Sequence, residues 1–173
     1  MTAVILYFRQ VIDLLFVHII SVGKLKEKYW SNAIAEYEKR LKMFCRFKIT
    51  EVQEEKTLNI PNDSQIAHIL EKEGSRIEGY LGKNAYVIAL CIEGKLYSST
   101  EMAELFSRIA IEGYSEIDFI IGGSWGIAKD IKQMAHLKLS MSKMTFPHQL
   151  ARVMLSEQIY RCFQINSGGK YHK

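Results

Sequence analysis

The chain has 173 residues, of which 48% are hydrophobic and 24% are charged. These proportions are ordinary for one globular domain with its own core. Three widely separated cysteines without a C-x-x-C pair argue against a zinc site or a disulfide framework, so we expect buried reduced thiols and no metal. The formal net charge of +4 equals that of residues 141–173 alone, which favours a polyanionic partner at the C-terminal end.

The first 16 residues are apolar but do not form a convincing targeting segment. They contain Arg9 and Asp13, are too short to span a membrane, and lack the basic start and small-residue cleavage site of a signal peptide. A short additional helix is the remaining interpretation. Together with reduced cysteines, this indicates a cytoplasmic protein without a membrane span.

The first half of the chain alternates predicted strands and helices. Short apolar runs predict strands over residues 17–22 and 47–52, and amphipathic spacing predicts a helix over residues 28–43 between them. A polar loop containing a proline follows. Asp63 or Ser64 is then expected to cap the second helix.

The same alternation continues in the second half and ends in a long helix. The spacing Ser98-x-x-Glu101 is a capping box that predicts the start of a helix, and Pro147 suits the first turn of the last helix. The predicted elements are a strand over 86–92, a helix to about 112, a strand over 117–121, a short helix over 128–135, a short strand over 137–139 and a helix to about 165.

Strands that alternate with helices predict an α/β fold, with a parallel sheet of about five strands flanked by helices. Ligands of such sheets bind beyond the carboxyl ends of the strands. Three segments are expected to leave those ends: residues 93–95, the loop G-G-S-W-G at 122–126, and residues 141–146.

Two of these loops have more than one interpretation. The loop at 122–126 matches neither a dinucleotide fingerprint nor a Walker loop, so its glycines either admit a ligand close to the backbone or form a tight turn. Ser142, Lys143 and Thr145 precede a helix N-terminus, where free N–H groups either receive a ligand or are capped in the ordinary way.

Polar residues of the last helix and the tail are further candidates. Glu157 and Arg161 are neighbours on one helix face, as many surface pairs are. His148 is expected at the second helical position, where the helix dipole disfavours a charged imidazole. Tyr171 and His172 lie at the terminus, where disorder is the usual expectation. Their concentration in one basic segment beside the predicted ligand loops favours a functional site.

Five motifs, in order, are shared with a known family. On these motifs, from about Leu15 to the C-terminus, the chain resembles the RlmH family of SPOUT-class methyltransferases, which act on pseudouridine in large-subunit ribosomal RNA. Cys91 and Trp125 depart from the family pattern without removing a motif. The motifs are G-K-L-K-E-K-Y-W from Gly23, I-G-G-S-x-G from Ile121, S-K-M-T-F-P-H-Q from Ser142, R-V-M-L-S-E-Q-I-Y-R from Arg152 and the terminal Y-H-K.

The resemblance implies an α/β-knot methyltransferase fold with a C-terminal trefoil knot, a homodimer, and S-adenosylmethionine as cofactor. The implied reaction is methylation of N3 of a pseudouridine in 23S ribosomal RNA on the assembled 70S ribosome. The residues that it assigns to the cofactor are Leu90, Gly122, Met141, Ser142, Lys143, Met144, Thr145 and Phe146. Those that it assigns to RNA binding or catalysis are His148, Glu157, Arg161, Tyr171 and His172.

Two other functions remain as alternatives. A non-enzymatic ribosome- or RNA-binding protein of the same fold would bind RNA without a cofactor or methyl transfer. A nucleotide- or flavin-binding module would hold a phosphate-bearing ligand without depending on RNA. Because the resemblance begins at about Leu15, residues 1–14 are expected to be an N-terminal extension outside a single domain of residues 15–173.

Overall fold

A computed structural model describes residues 15–57 and 60–169. In chain order, these residues form β1 (Phe16–Val22), α1 (Lys28–Leu41), β2 (Arg46–Val52), α2 (Asp63–Glu78), β3 (Ala85–Leu96), α3 (Ser99–Ile111), β4 (Glu116–Ile121), α4 (Lys129–Met134), β5 (Leu137–Ser140) and α5 (His148–Asn166). The strands make one five-stranded sheet in the order β2-β1-β4-β3-β5. All its strand pairs are parallel, so the predicted α/β class is confirmed.

Helices cover both faces of the sheet because the central strands are apolar on both sides. In β1, Val17 and Ile19 point to one face, where α1, α3 and α5 complete the larger core cluster. Ile20 and Val22 point to the other face, where Ile77 of α2 and Ile131 of α4 complete the smaller cluster. The result is a three-layer domain with the sheet in the middle.

Strand β3 is longer than its apolar run predicts. Residues 93–95, predicted to be a loop at the carboxyl end of this strand, are part of β3 instead. The pairing with β5 shifts register between Leu90 and Lys95, and Gly94 lies at this irregularity. A methyl group on Gly94 would approach the backbone carbon of Leu139 to 2.6 Å, so a residue without a side chain is needed for β5 to pass this closely.

The start of α3 agrees with the prediction, whereas the starts of α2 and α5 differ from it. At α5, Pro147 is the N-cap and not a residue of the first turn, so His148 is the first and not the second helical residue. Ser98 accepts from the backbone of Glu101, and the Glu101 side chain accepts from the backbone of Ser98, which confirms the predicted capping box. At α2 the cap is Asn62, which forms a capping box with Gln65, and not Asp63 or Ser64. Asparagine is as good a cap as aspartate or serine, and it stands one residue earlier.

The three cysteines are free and buried, as expected for reduced thiols. Burial raises the pKa of Cys45 and of Cys162 to about 12, so neither is a reactive thiolate. Among the helices of residues 15–57 and 60–169, none combines the length and apolar character that crossing a membrane requires.

Candidate functional site

A cleft with a volume of about 510 Å³ opens at the carboxyl ends of the central strands. Its walls come from the middle of β3, the segment after β4, the segment after β5 and the first turn of α5. This is the position where ligands of parallel sheets bind. The lining residues are Leu90, Cys91, Ile92, Ile121, Gly122, Gly123, Ser124, Gly126, Ile127, Leu139, Met141, Ser142, Met144, Thr145, Phe146, Pro147, His148 and Ala151.

The glycine loop after β4 folds tightly against itself. The Gly126 N–H donates to the carbonyl of Gly123 over 3.1 Å, and Gly126 has a φ of 90°, which favours glycine. A methyl group on Gly122 would overlap the carbonyl group of Gly126. The loop is therefore a tight turn whose backbone also lines the cleft, and the close approach of a ligand to its glycines stays a prediction.

Serine side chains shape the segment between β5 and α5. The buried Ser140 hydroxyl donates to the carbonyl of Ser142 over 2.9 Å, and the Met144 N–H donates to the Ser142 hydroxyl over 3.1 Å. These bonds turn the chain so that Met141, Ser142 and residues 144–147 face the cleft. The predicted ligand loop is thus held by its own hydroxyl groups.

His148 is the first residue of α5 and stands at the wall of the cleft next to Gly23. Gly23 has a φ of 87°, and a methyl group there would lie 3.1 Å from Nε2 of His148. Burial lowers the pKa of His148 below its usual range, and the positive charges of Arg152 and Lys26 act in the same direction, against an opposing effect of Glu54. At neutral pH the cleft therefore contains the uncharged imidazole of His148.

Arg152 is a buried charge that ties α5 to the end of the sheet. Its side chain is fully buried, with one terminal nitrogen donating to Glu51 over 2.8 Å. The other donates to the Ser21 hydroxyl over 2.9 Å and to the carbonyl of Gly23 over 3.0 Å. Because Gly23 touches His148, Arg152 fixes the wall of the cleft on which the imidazole rests.

Glu73 of α2 is a second buried charge, beneath the glycine loop. Its exposed fraction is 3%, and Oε1 accepts from the backbone N–H of Glu55 over 3.0 Å. Oε2 would lie 3.2 Å from a methyl group on Gly123. Burial raises the pKa of this carboxyl group. Glu73 thus packs the segment after β2 and the glycine loop against each other.

The sequence predictions named neither Arg152 nor Glu73 as a site residue, although the sequence contains a signal for each. Glu73 stands four residues from both Ile69 and Ile77, on the apolar stripe of its helix. Arg152 likewise precedes Leu155 by three residues on the buried side of α5. A charged residue on an apolar stripe indicates a buried, paired group.

The structure places the predicted site residues in three groups. Glu157 and Arg161 lie outside the lining of the cleft and form a pair on α5, with two Arg161 nitrogens donating to Oε1 of Glu157 over 3.0 and 2.6 Å. Tyr171 and His172 lie outside the described residues. The residues that line the cleft are His148 and the predicted cofactor residues other than Lys143.

The spacing along α5 separates His148 from the Glu157–Arg161 pair. Glu157 stands nine residues after His148, which is about 14 Å along a helix and half a turn around it. The two groups therefore face different sides of α5. Within one chain, the described candidates do not assemble into one catalytic cluster.

Known proteins similar to this chain agree on one family. Residues 15–172 match the family model described as predicted SPOUT methyltransferase. The ribosomal RNA large subunit methyltransferase H of Leuconostoc mesenteroides is 50% identical over 157 residues, covering 91% of this chain and 99% of the relative. The protein of the same name from Clostridium novyi is 51% identical over 155 residues, covering 90% and 98%.

Among solved structures, a probable methylase family protein from Haemophilus influenzae Rd KW20 is 12% identical, with a TM-score of 0.49. The match covers 94% of this chain and 71% of that one. The family model and the curated relatives each extend over nearly the whole described domain, and two of the motifs that carry the resemblance, from Ile121 and from Ser142, line the cleft. The chain therefore belongs to the SPOUT methyltransferase family, within the RlmH group.

Proposed function

We propose that this protein is an S-adenosylmethionine-dependent methyltransferase that modifies N3 of a pseudouridine in 23S ribosomal RNA on the assembled ribosome. The observation that carries this proposal is the convergence of two family motifs on one cleft, the motif from Ile121 after β4 and the motif from Ser142 after β5, beside Leu90 of β3. Family membership over residues 15–172 supports the reaction class. The relatives' name supports ribosomal RNA as the substrate.

The cleft has the size and chemistry that this cofactor requires. Its volume of about 510 Å³ is in the range of small-molecule sites. Leu90, Ile121 and Phe146 offer apolar contacts to an adenine ring, and the glycine loop brings backbone close to the ligand. At Gly122 a side chain would fill the turn instead. S-adenosylmethionine, when bound, supplies an electrophilic methyl group on a positively charged sulfur.

His148 has a position and a charge state that suit a proton acceptor. N3 of pseudouridine carries a proton that must leave when the methyl group is accepted, so a base or a charge-stabilising group is needed. The uncharged imidazole at the cleft can accept a hydrogen bond from this N–H. A charged histidine would only donate. Arg161, with its planar fork of donors, suits the developing negative charge on the uracil ring or a phosphate.

We propose that Glu157 and Arg161 serve the cleft of a second copy in a homodimer. This follows from their position on a different side of α5 from His148, together with their absence from the lining of their own cleft. Each active site would then combine His148 of one chain with Glu157, Arg161 and the tail of the other. A C-terminal trefoil knot, Tyr171 and His172 as substrate contacts, and a cytoplasmic location belong to the same proposal.

Methyl transfer from labelled S-adenosylmethionine tests the activity. The substrates are 70S ribosomes lacking the modification, isolated large subunits and naked 23S RNA. We expect incorporation into 70S particles and mass-spectrometric mapping of the methyl group to N3 of a pseudouridine. RNA binding without incorporation would favour the non-enzymatic alternative, and a tightly bound phosphate-bearing ligand without RNA dependence would favour the nucleotide module.

Complementation between two impaired variants tests the shared site. Gly122→Ala damages the cleft, and Glu157→Gln removes one carboxylate from α5. If Glu157 serves the partner's cleft, a mixed dimer of the two variants contains one intact site and recovers about half of the wild-type turnover per dimer. A mixed dimer that stays inactive, although each variant dimerises, would place Glu157 in its own chain's site.

A further inference from the structure

A second polar cluster lies at the end of the sheet opposite the cleft. His18 of β1 and Asp118 of β4 are register partners, and Glu116 precedes Asp118 on the same face of β4. The side chains of His18 and Asp118 are 4% and 0% exposed. From Asp118 to Gly122 the strand rises by about 13 Å, so this cluster is separate from the cleft.

One oxygen of Asp118 is buried without a hydrogen-bond partner. Oδ2 accepts from the backbone N–H of Gly82 over 2.8 Å, whereas Oδ1 has no partner. Nδ1 of His18 lies 3.6 Å from this Oδ1, beyond hydrogen-bonding distance. An orphaned carboxylate oxygen that is fully buried is costly unless something positively charged approaches it.

The imidazole of His18 is held from its other side. Nε2 lies 2.7 Å from the Thr50 hydroxyl, in β2. With Nε2 carrying the proton and donating to Thr50, Nδ1 directs its lone pair at the carboxylates. A histidine oriented by an outer hydrogen bond, with the other nitrogen free, is the usual arrangement of a metal ligand.

We propose that His18, Glu116 and Asp118 bind one divalent transition-metal ion of the zinc class. Each residue offers one ligand atom, and these atoms lie within 4.8 Å of one another. Two ligands about 2.1 Å from a tetrahedral ion are about 3.4 Å apart, close to the 3.6 Å between Nδ1 and Oδ1. One imidazole and two carboxylates neutralise a double positive charge and favour zinc or manganese over magnesium.

The ion would have a structural role. Its ligands join β1 to β4, Thr50 adds β2, and Gly82 adds the turn before β3. Glu116 is partly exposed and gives the ion and a bound water a route from solvent. The prediction from cysteine spacing that the chain holds no metal does not consider this cluster, because its ligands come from different strands.

Metal uptake by the full-length protein tests the site. After chelation and desalting, the protein is equilibrated with Zn²⁺, Mn²⁺ or Mg²⁺. Bound metal is measured by mass spectrometry, and affinity is measured by calorimetry. We expect one zinc ion per chain, weaker manganese binding and no magnesium. Thr50→Val should lower zinc affinity about 10- to 100-fold, and Glu116→Gln should lower it by at least as much.

His68→Gln is the matched control, because His68 and Glu71 form an exposed pair at 3.5 Å that is able to attract zinc adventitiously. Asp118→Asn replaces the most buried ligand. If Asp118→Asn fails to fold, zinc uptake by Glu116→Gln tests the site at its partly exposed ligand. Zinc uptake lost in His68→Gln, uptake unchanged in Glu116→Gln, or no uptake at all would overturn the proposal.

Discussion

At the scale of single residues, the charge state of His148 has a direct effect on pH dependence. Burial lowers its pKa in the folded protein, whereas the unfolded chain takes up the proton near its ordinary pKa of about 6.5. Below that pH the unfolded state binds more protons, so stability falls as pH decreases through the interval between the two pKa values. Above about pH 6.5 this penalty is absent.

We therefore expect an NMR titration of His148 to give a pKa below that of a free histidine. His148→Gln should lose part of the decline in unfolding free energy between pH 7 and pH 5, measured by urea denaturation. His68→Gln changes an exposed imidazole and should follow the wild-type pH profile. A His148 resonance that titrates above 6.5 would contradict the prediction.

Arg152 carries a stability prediction of its own. Arg152→Met removes a charge but leaves the Ser21 hydroxyl and the Gly23 carbonyl without their donor, which costs about 2–3 kcal/mol for buried groups. The cost is below the 3–5 kcal/mol of a fully buried pair because Glu51 is about one third exposed and regains water. Cofactor affinity should also fall, because Gly23, which lies against His148, loses the hydrogen bond that holds it in place.

Chemical denaturation and calorimetry check both effects. Arg108→Met is the control, because Arg108 is an exposed residue in the last turn of α3, where its charge is worth only a few tenths of a kcal/mol. If Arg152→Met were as stable as this control, the network around Gly23 would not support the cleft.

The residues missed by the sequence predictions share a physical cause. Whether a charged side chain is buried depends on partners supplied by distant segments, and the bond from Arg152 to Ser21 spans 131 residues. Periodicity reports which face of a helix is apolar, but not which partner makes a charge on that face acceptable. Two of the three predicted loops, at 122–126 and 141–146, were predictable because the segments that follow parallel strands leave the sheet at one end.

At the scale of elements, the glycine loop carries the sharpest prediction. Gly122→Ala puts a methyl group into the carbonyl group of Gly126, so the turn that lines the cleft must open. Overpacking of this kind costs about 1–3 kcal/mol, and cofactor affinity should fall by at least about 10-fold. Isothermal titration with S-adenosylmethionine measures the loss.

Gly79→Ala is the matched control. Gly79 has a φ of −62°, and the nearest atom to its new methyl group would be the Arg76 carbonyl oxygen at 3.5 Å, an ordinary contact. This variant should bind the cofactor like the wild type. Equal affinities for the wild type and Gly122→Ala would show that the loop accommodates a side chain.

Element types were predictable from sequence because each strand is an apolar run and most helices carry one apolar stripe. The error in β3 arises because Glu93, Gly94 and Lys95 have the composition of a turn. They continue as a strand because β5 pairs with Leu96 beyond the irregularity. Hydrogen bonds from a partner strand override local preference, and no local pattern reports that partner.

At the scale of the whole molecule, we expect a chain beginning at residue 15 to fold and to methylate normally. Leu15 itself is buried in the core, and its carbonyl accepts from the Arg46 N–H over 3.2 Å. An initiator methionine in its place conserves side-chain volume and should cost less than about 1.5 kcal/mol. Thermal melting and methyl transfer check this. A large loss of either would show that residues 1–14 pack into the domain.

Removal of residues 171–173, unlike removal of residues 1–14, should abolish methyl transfer. These residues lie outside the described part of the chain, whereas the cleft walls belong to residues 90–151. Cofactor binding should therefore persist while methyl transfer is abolished. Turnover that survives the deletion would remove Tyr171 and His172 from the proposed reaction.

The strand order could not be predicted from the sequence. A parallel sheet follows from alternating elements, but the order β2-β1-β4-β3-β5 depends on which strands bury the most apolar surface together, and periodicity carries no such information.

The homodimer stays a prediction. We expect light scattering to give twice the mass of the chain. An active monomer would contradict the proposal that Glu157 and Arg161 serve a second chain's cleft.

The position of β1 inside the sheet, between β2 and β4, has a kinetic consequence. β1 pairs with β4, which follows about one hundred residues later, and Arg152 of the final helix donates to Ser21 near the carboxyl end of β1. Contacts between segments this distant form slowly, because long loops must close first. The cleft is then among the last parts to assemble. Added S-adenosylmethionine should slow unfolding while leaving the refolding rate nearly unchanged.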